Sequence, residues 1–136
     1  MPSSNEQRIG WIAETLFIAE CLERNFEPHP TTTPMPWDFI VTCPSGNLKV
    51  QVKSTAFQEK SKSAYSVNTA TGTSGKGKTH MSRDVDAVAI YVSPVKEWWM
   101  IPRDKITSKT IKLYLSKASQ SRFKPYQNNW SIYYNK

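Results

Sequence analysis

Cys21 and Cys43 are the only cysteines in this chain of 136 residues. They are too few for a disulfide framework and too isolated for a zinc site. No apolar run approaches the ~18 residues that a membrane-spanning helix needs. The opening residues, Met-Pro-Ser-Ser-Asn-Glu, show no basic stretch running into an apolar one, so no secretory signal is expected. Acid is missing from one end of the chain. After Asp104 there is no carboxylate side chain, while Lys105, Lys109, Lys112, Lys117, Arg122, Lys124 and Lys136 follow. A disulfide-stapled domain, a zinc finger and a membrane protein are thereby set aside, and a soluble intracellular domain is the expectation that remains. Its hydrophobic content of 38%, with five Trp, excludes a disordered polyelectrolyte. The length suits one domain spanning 1–136.

The net charge of +7 averages two unlike parts. Residues 1–40 hold two basic groups against six acidic ones (Glu6, Glu14, Glu20, Glu23, Glu27 and Asp38), a balance of −4. The other 96 residues hold 16 basic groups against five acidic ones, a balance of +11. A surface of that sign suits a phosphate-rich partner, because each neutralised phosphate releases condensed counterions. Carboxylates embedded in a basic protein then need a reason of their own.

Residues 7–24 read as a helix, free of proline, with Ile9, Ile12, Ala13, Leu16 and Phe17 at helical spacing. Trp11, Ile18 and Leu22 carry the apolar surface round to the opposite side, which predicts burial between layers or against a second subunit. Pro28, Pro30, Pro34 and Pro36 forbid helix and impose an extended connection. Strands are predicted over 37–42, 48–55, 64–67, 85–92 and 97–101, with a basic helix over 105–119 and a last strand near 130–133. Residues 68–79, rich in Gly, Ser, Thr and Lys, read as a mobile loop. A helix, then strands, then a late helix predicts a mixed α/β domain around one sheet.

A hairpin turn at Ser45-Gly46 would place Asp38 opposite Lys53 and Ile40 opposite Gln51. Alternation then puts Phe39, Val41, Leu48, Val50 and Val52 on one apolar face, and Asp38, Gln51 and Lys53 on the other. Glu14 reaches the same place if the first helix packs beside the sheet. A carboxylate, an amide oxygen and an ammonium gathered in this way suit metal-assisted phosphoryl chemistry. Mg²⁺ takes hard oxygen ligands and keeps several waters, so Asp38, Gln51 and the main-chain carbonyl of Val52 suffice to hold it. Lys53 can orient a water and stabilise charge growing on a phosphate. The plainer alternative is a cross-strand ion pair of Asp38 with Lys53 beside a solvated Gln51.

Pro36-Trp37-Asp38, a hairpin, and Gln51-Val52-Lys53, preceded by Gly10-x-x-Ala13-Glu14, resemble the PD-(D/E)XK nuclease superfamily. The likeness is greatest to small Holliday junction resolvases and to group I intron homing endonucleases on the same core, and it covers roughly residues 6–102 by element order. It implies a restriction-endonuclease-like core, with a mixed central β-sheet flanked by helices. It also implies catalysis by Glu14, Asp38, Gln51 and Lys53, with Mg²⁺ (Mn²⁺ substituting) on Asp38, Gln51, Glu14 and the Val52 carbonyl. Two features depart from the family pattern. Trp37 separates Pro36 from Asp38, and Gln51 replaces the usual acid, a replacement known among intron-encoded members.

The resemblance further implies in-line attack of water on a DNA phosphodiester and a cytoplasmic, nucleoid-associated protein of a prokaryote or phage. Lys49, Lys60, Lys62, Lys76, Lys78 and Arg83 are the expected DNA-backbone contacts. A homodimer or homotetramer would suit two-strand cutting. The short chain, with no recognition insert, favours a four-way junction over a specific linear duplex site. A catalytically inactive DNA-binding relative is the rival from another class. Gly72-x-x-x-x-Gly77-Lys78-Thr79 matches the P-loop pattern, but a polar stretch precedes it and a strand rather than a helix follows. Glu20 rivals Glu14 as the inward acid, Glu6 reads as a charge favourable to the helix dipole, and His29 and His80 read as solvated.

Overall fold

The computed structural model describes residues 5–56, 64–69, 81–115 and 121–135. Helix α1 spans Asn5–Glu23 and buries a stripe of Ala13, Phe17 and Cys21, each four residues from the last. It ends where Asn25 takes a φ of 64° and the Phe26 N–H reaches back to the Cys21 carbonyl at 2.9 Å. The stripe is narrower than the sequence suggests. Ile18 packs against the core, while Trp11 and Leu22 stay more than half exposed, at 59% and 58%. Among the described residues α1 is therefore buried on one side rather than between two layers.

The main sheet has five strands in the order β1-β2-β3-β5-β6. These are β1 (Glu27–Pro30), β2 (Phe39–Cys43), β3 (Gly46–Thr55), β5 (Ala87–Val92) and β6 (Glu97–Pro102). β3 and β5 run parallel and the other pairs antiparallel. All of β5 is buried, as expected of a strand covered on both faces. One face carries α1 with Trp130 and Tyr133 from the chain's end. The other carries a two-stranded ribbon of β4 (Ala64–Asn68) and β7 (Thr110–Tyr114), with Ile106 and Phe123. The expected mixed central sheet is present, but among the described residues one α-helix flanks it, and a ribbon rather than a helix covers the second face.

Two expectations about the second half of the chain fail. Where a helix over 105–119 was predicted, the structure has a short 3-10 turn at Arg103–Lys105 and then strand β7; residues 116–120 lie outside the described ones. Ile111 and Leu113 are buried between exposed Thr110 and Lys112, a period of two that only a strand delivers to the core. The predicted strand near 130–133 is a 3-10 turn at Ser131–Tyr133. Trp98 and Trp99 are both core, one on each face of the sheet.

The chain's end seals the exposed side of β6. Asn128 accepts from the Trp98 N–H through Oδ1 at 3.1 Å and donates its own N–H to the Trp98 carbonyl at 2.6 Å. It does so at a φ of 51°. Asn128→Ala should cost about 2 kcal/mol, from an unpaired strand N–H and a left-handed backbone that alanine tolerates poorly. Asn128→Gly, which keeps the backbone at ease, should recover part of that loss in urea unfolding.

Candidate active site

The β2–β3 hairpin turns at Pro44-Ser45, with Cys43 paired to Gly46 and Phe39 to Val50. The expected turn, one residue later, is corrected. Pro44 has φ preset for the first turn position and no N–H to give a ladder, so it falls in the turn. Opposed residues shift by two, Ile40 pairing with Lys49 rather than Gln51. Extending the ladder by one pair puts Asp38 opposite Gln51 instead of Lys53. An even shift leaves every side chain on its expected face, so the predicted grouping survives.

Asp38 sits one residue before β2 begins. Its N–H donates to the Val50 carbonyl at 2.9 Å, and its Oδ2 accepts from the Val52 N–H at 2.8 Å. Val52 thus anchors the carboxylate, a role not foreseen in the sequence, and Oδ2 is the oxygen so held. In a strand, the N–H and C=O of one residue face the same neighbour. The Val52 carbonyl therefore points to the edge that Asp38 occupies. Gln51 is half-buried, and its Oε1 is fully buried with no hydrogen-bond partner among the described residues. A buried amide oxygen left unpaired costs about 1–3 kcal/mol.

Burial pushes the Asp38 carboxyl above the usual carboxylate range, against the pull of the Val52 N–H and of the Lys53 ammonium. Glu14 is also raised, first by desolvation and then by the Asp38 charge. Glu14 therefore lies within electrostatic reach of Asp38. Glu20 turns away, forming an ion pair at 2.6 Å with Arg24 one helical turn on. Two carboxyls, an unpartnered amide oxygen and a main-chain carbonyl are hard oxygen donors, and with the nearby ammonium they form a set suited to a divalent cation and a phosphate. Among the described residues no three His, Cys, Asp or Glu side chains gather into a metal-binding group. The set fits a cation only if Gln51 and backbone oxygen take part.

The raised carboxyls set a pH dependence. The folded state holds protons on Asp38 and Glu14 at pH values where the unfolded chain has released them. Stability of the metal-free protein should therefore fall as pH rises from about 4, where unfolded carboxylates ionise, through the raised folded values. Mg²⁺ should flatten this slope by taking the protons' place. Thermal melts between pH 4 and 8, with and without Mg²⁺, check it; a metal-free curve that rises over this range would contradict the assignment.

Of the expected DNA contacts, Lys49 lies with its ammonium 4.6 Å above the Trp37 ring, and Arg83 is exposed close enough to oppose the charge of buried Arg103. Lys60, Lys62, Lys76, Lys78, His80 and the Gly72–Thr79 match lie outside the described residues. Sequence reading missed Arg103, whose guanidinium donates to the carbonyls of Met81, Ser82 and Ile106 and so ties the segment bearing Arg83 to the sheet. Nothing in the sequence separated it from the other basic residues.

Comparison with solved structures finds the bacterial homing endonuclease I-Ssp6803I, at a TM-score of 0.78 and 21% identity, over 98% of this chain and 93% of that one. At that identity the likeness shows the fold. No curated protein matches the sequence. The family model of PD-(D/E)XK endonucleases matches residues 4–133, nearly the whole chain, and so the chain belongs to the PD-(D/E)XK endonuclease family.

Proposed function

We propose that this chain is a divalent-metal-dependent DNA endonuclease that hydrolyses backbone phosphodiesters at the Asp38–Gln51–Lys53 cluster. The observation that carries the proposal is the buried, partnerless Oε1 of Gln51 next to a carboxylate held by a backbone N–H. A buried oxygen without a donor is costly, and a cation at this point would offset the cost. Asp38, Gln51, Glu14 and the Val52 carbonyl would hold it, with Mg²⁺ the natural ion and Mn²⁺ its substitute. When bound, the cation supplies Lewis acidity to the scissile phosphate and lowers the pKa of water. Lys53 orients the attacking water and stabilises charge that develops on the phosphoryl oxygens. Asp38 keeps its geometry throughout through Val52, and Lys49 and Arg83 meet neighbouring phosphates.

The first substrate reading is a four-way junction, from the likeness of the Asp38 and Gln51-Val52-Lys53 motifs to those of small junction resolvases. A second reading has its own support. The homing endonuclease of like fold is covered over 93% of its length by this chain, so a short chain is no argument against a linear duplex site. Two copies meeting through the exposed Trp11, Ile12 and Leu22 side of α1 would present two cutting sites, as either substrate needs.

Incubation with a labelled four-way junction, a linear duplex and a plasmid, with Mg²⁺, Mn²⁺ or EDTA, tests the proposal. Cutting is expected with either metal and none in EDTA. Cutting that survives chelation would overturn the metal site. Tight binding without cutting of any substrate would mark an inactive DNA-binding relative.

A further inference from the structure

Immediately beyond Lys53 along β3 there is a cavity of about 460 Å³. Asn5, Glu6 and Ile9 from the start of α1 line it, with Ser54–Ala56 from the end of β3 and Ser66 and Asn68 from β4. The Thr55 hydroxyl donates to the Ser66 carbonyl at 2.7 Å and so fixes the two strands that form one wall. The volume falls in the range of roughly 300–1,000 Å³ that takes one small ligand. Among the described residues its lining combines hydroxyls and amides with one acid, Glu6, and two aliphatic side chains, Ile9 and Ala56.

The sign of the charge narrows what can enter. A carboxylate repels phosphate, so the sugar–phosphate backbone belongs at Lys53 and not inside the cavity. A carboxylate accepts hydrogen bonds from an exocyclic amino group, the pairing by which acidic side chains read cytosine N4. Serine hydroxyls serve as donor or acceptor to the remaining base edge. Ile9 offers an apolar surface to a base or sugar. We infer that this cavity is a nucleotide subsite, in which Glu6 reads an amino-bearing base, cytosine or adenine, flanking the phosphate cut beside Lys53. The inference rests on the endonuclease reading and adds to it a determinant of where the strand is cut. A base enters such a cavity out of the stack, which costs least where the duplex is already open.

The test uses the full chain and two DNA libraries, a four-way junction randomised around its branch point and a randomised linear duplex. Cut ends formed in Mg²⁺ are sequenced, and so is the DNA retained by the protein in EDTA. At one position beside the cut, cytosine and adenine should outnumber the other bases about tenfold, in the cut and the retained pools alike. Glu6→Ala should flatten that position. Glu23→Ala, at the exposed far end of α1, should leave it unchanged. A flat wild-type profile, or a preference that Glu6→Ala leaves intact, would overturn the subsite while the endonuclease reading stands on the cutting itself. A Glu6-dependent preference in retained DNA, with no cutting of either library, would keep the subsite and overturn the endonuclease reading. A chain that neither retains nor cuts DNA would overturn both.

Discussion

Asp38→Asn should lower DNA cutting by about 10³-fold and at the same time raise the thermal midpoint of the metal-free protein. The two effects have one cause. The Asp38 carboxyl is held above its ordinary range chiefly by burial, so at neutral pH its ionised form is a cost to the folded state. Asparagine keeps an oxygen that can accept from the Val52 N–H, the bond made at 2.8 Å by Oδ2, and discards the charge. Glu14 also benefits, since its carboxyl no longer faces an anion. Without that charge the site holds a cation weakly, and Mg²⁺ should no longer shift the melt. Lys53→Ala provides the contrast, with a loss of cutting near 10²-fold and an undiminished Mg²⁺ shift. Single-turnover cleavage and thermal melts on the same preparations separate the two. An Asp38→Asn protein that cuts normally, or that melts lower than the wild type without metal, would refute the role given to Asp38.

Much of this site could be read in the sequence because strand alternation tolerates an error of two. A turn at Ser45-Gly46 is one residue late and moves the partner of Asp38 from Gln51 to Lys53, yet it leaves Asp38, Gln51 and Lys53 on one face. A shift of one would have buried them. Choosing between Glu14 and Glu20 required the third dimension. Both lie on one helix, and only the proximity of Asp38 to Glu14 and the Arg24 pairing of Glu20 distinguish them.

The second half of the chain was less legible for a physical reason. A run with lysines between Ile and Leu satisfies a helical pattern loosely, and the alternation over Thr110–Tyr114 is only five residues long. What decided it was a partner, since β7 pairs with β4 across more than forty residues of chain, Asn68 lying opposite Thr110. Local propensity carries no information about such pairing. The Val52 N–H that anchors Asp38 was hidden in the same way, because it is main chain and has no letter in the sequence.

Gln51 should separate stability from function in both directions. Gln51→Leu keeps the approximate volume and removes the buried oxygen that has no partner. The metal-free protein should gain about 1 kcal/mol, while Mg²⁺ binding and metal-dependent cutting fall by about 10²-fold. Gln51→Glu should do the reverse. It brings a third carboxylate to a place where Asp38 and Glu14 already resist ionisation. The metal-free protein should then lose stability, more so as pH rises, because a carboxyl that prefers its proton is stripped of it. Mg²⁺ should bind more tightly, since the added charge attracts the ion and the ion relieves three anions rather than two. Titration calorimetry with Mg²⁺ and melts across pH give the two readouts for each variant. If Leu and Glu at this position leave Mg²⁺ affinity where glutamine has it, Gln51 is no ligand, and its buried oxygen needs another explanation. If the affinities move in opposite directions while the metal-free stabilities move the other way, an amide at position 51 is the compromise between a hairpin that folds without metal and one that binds it.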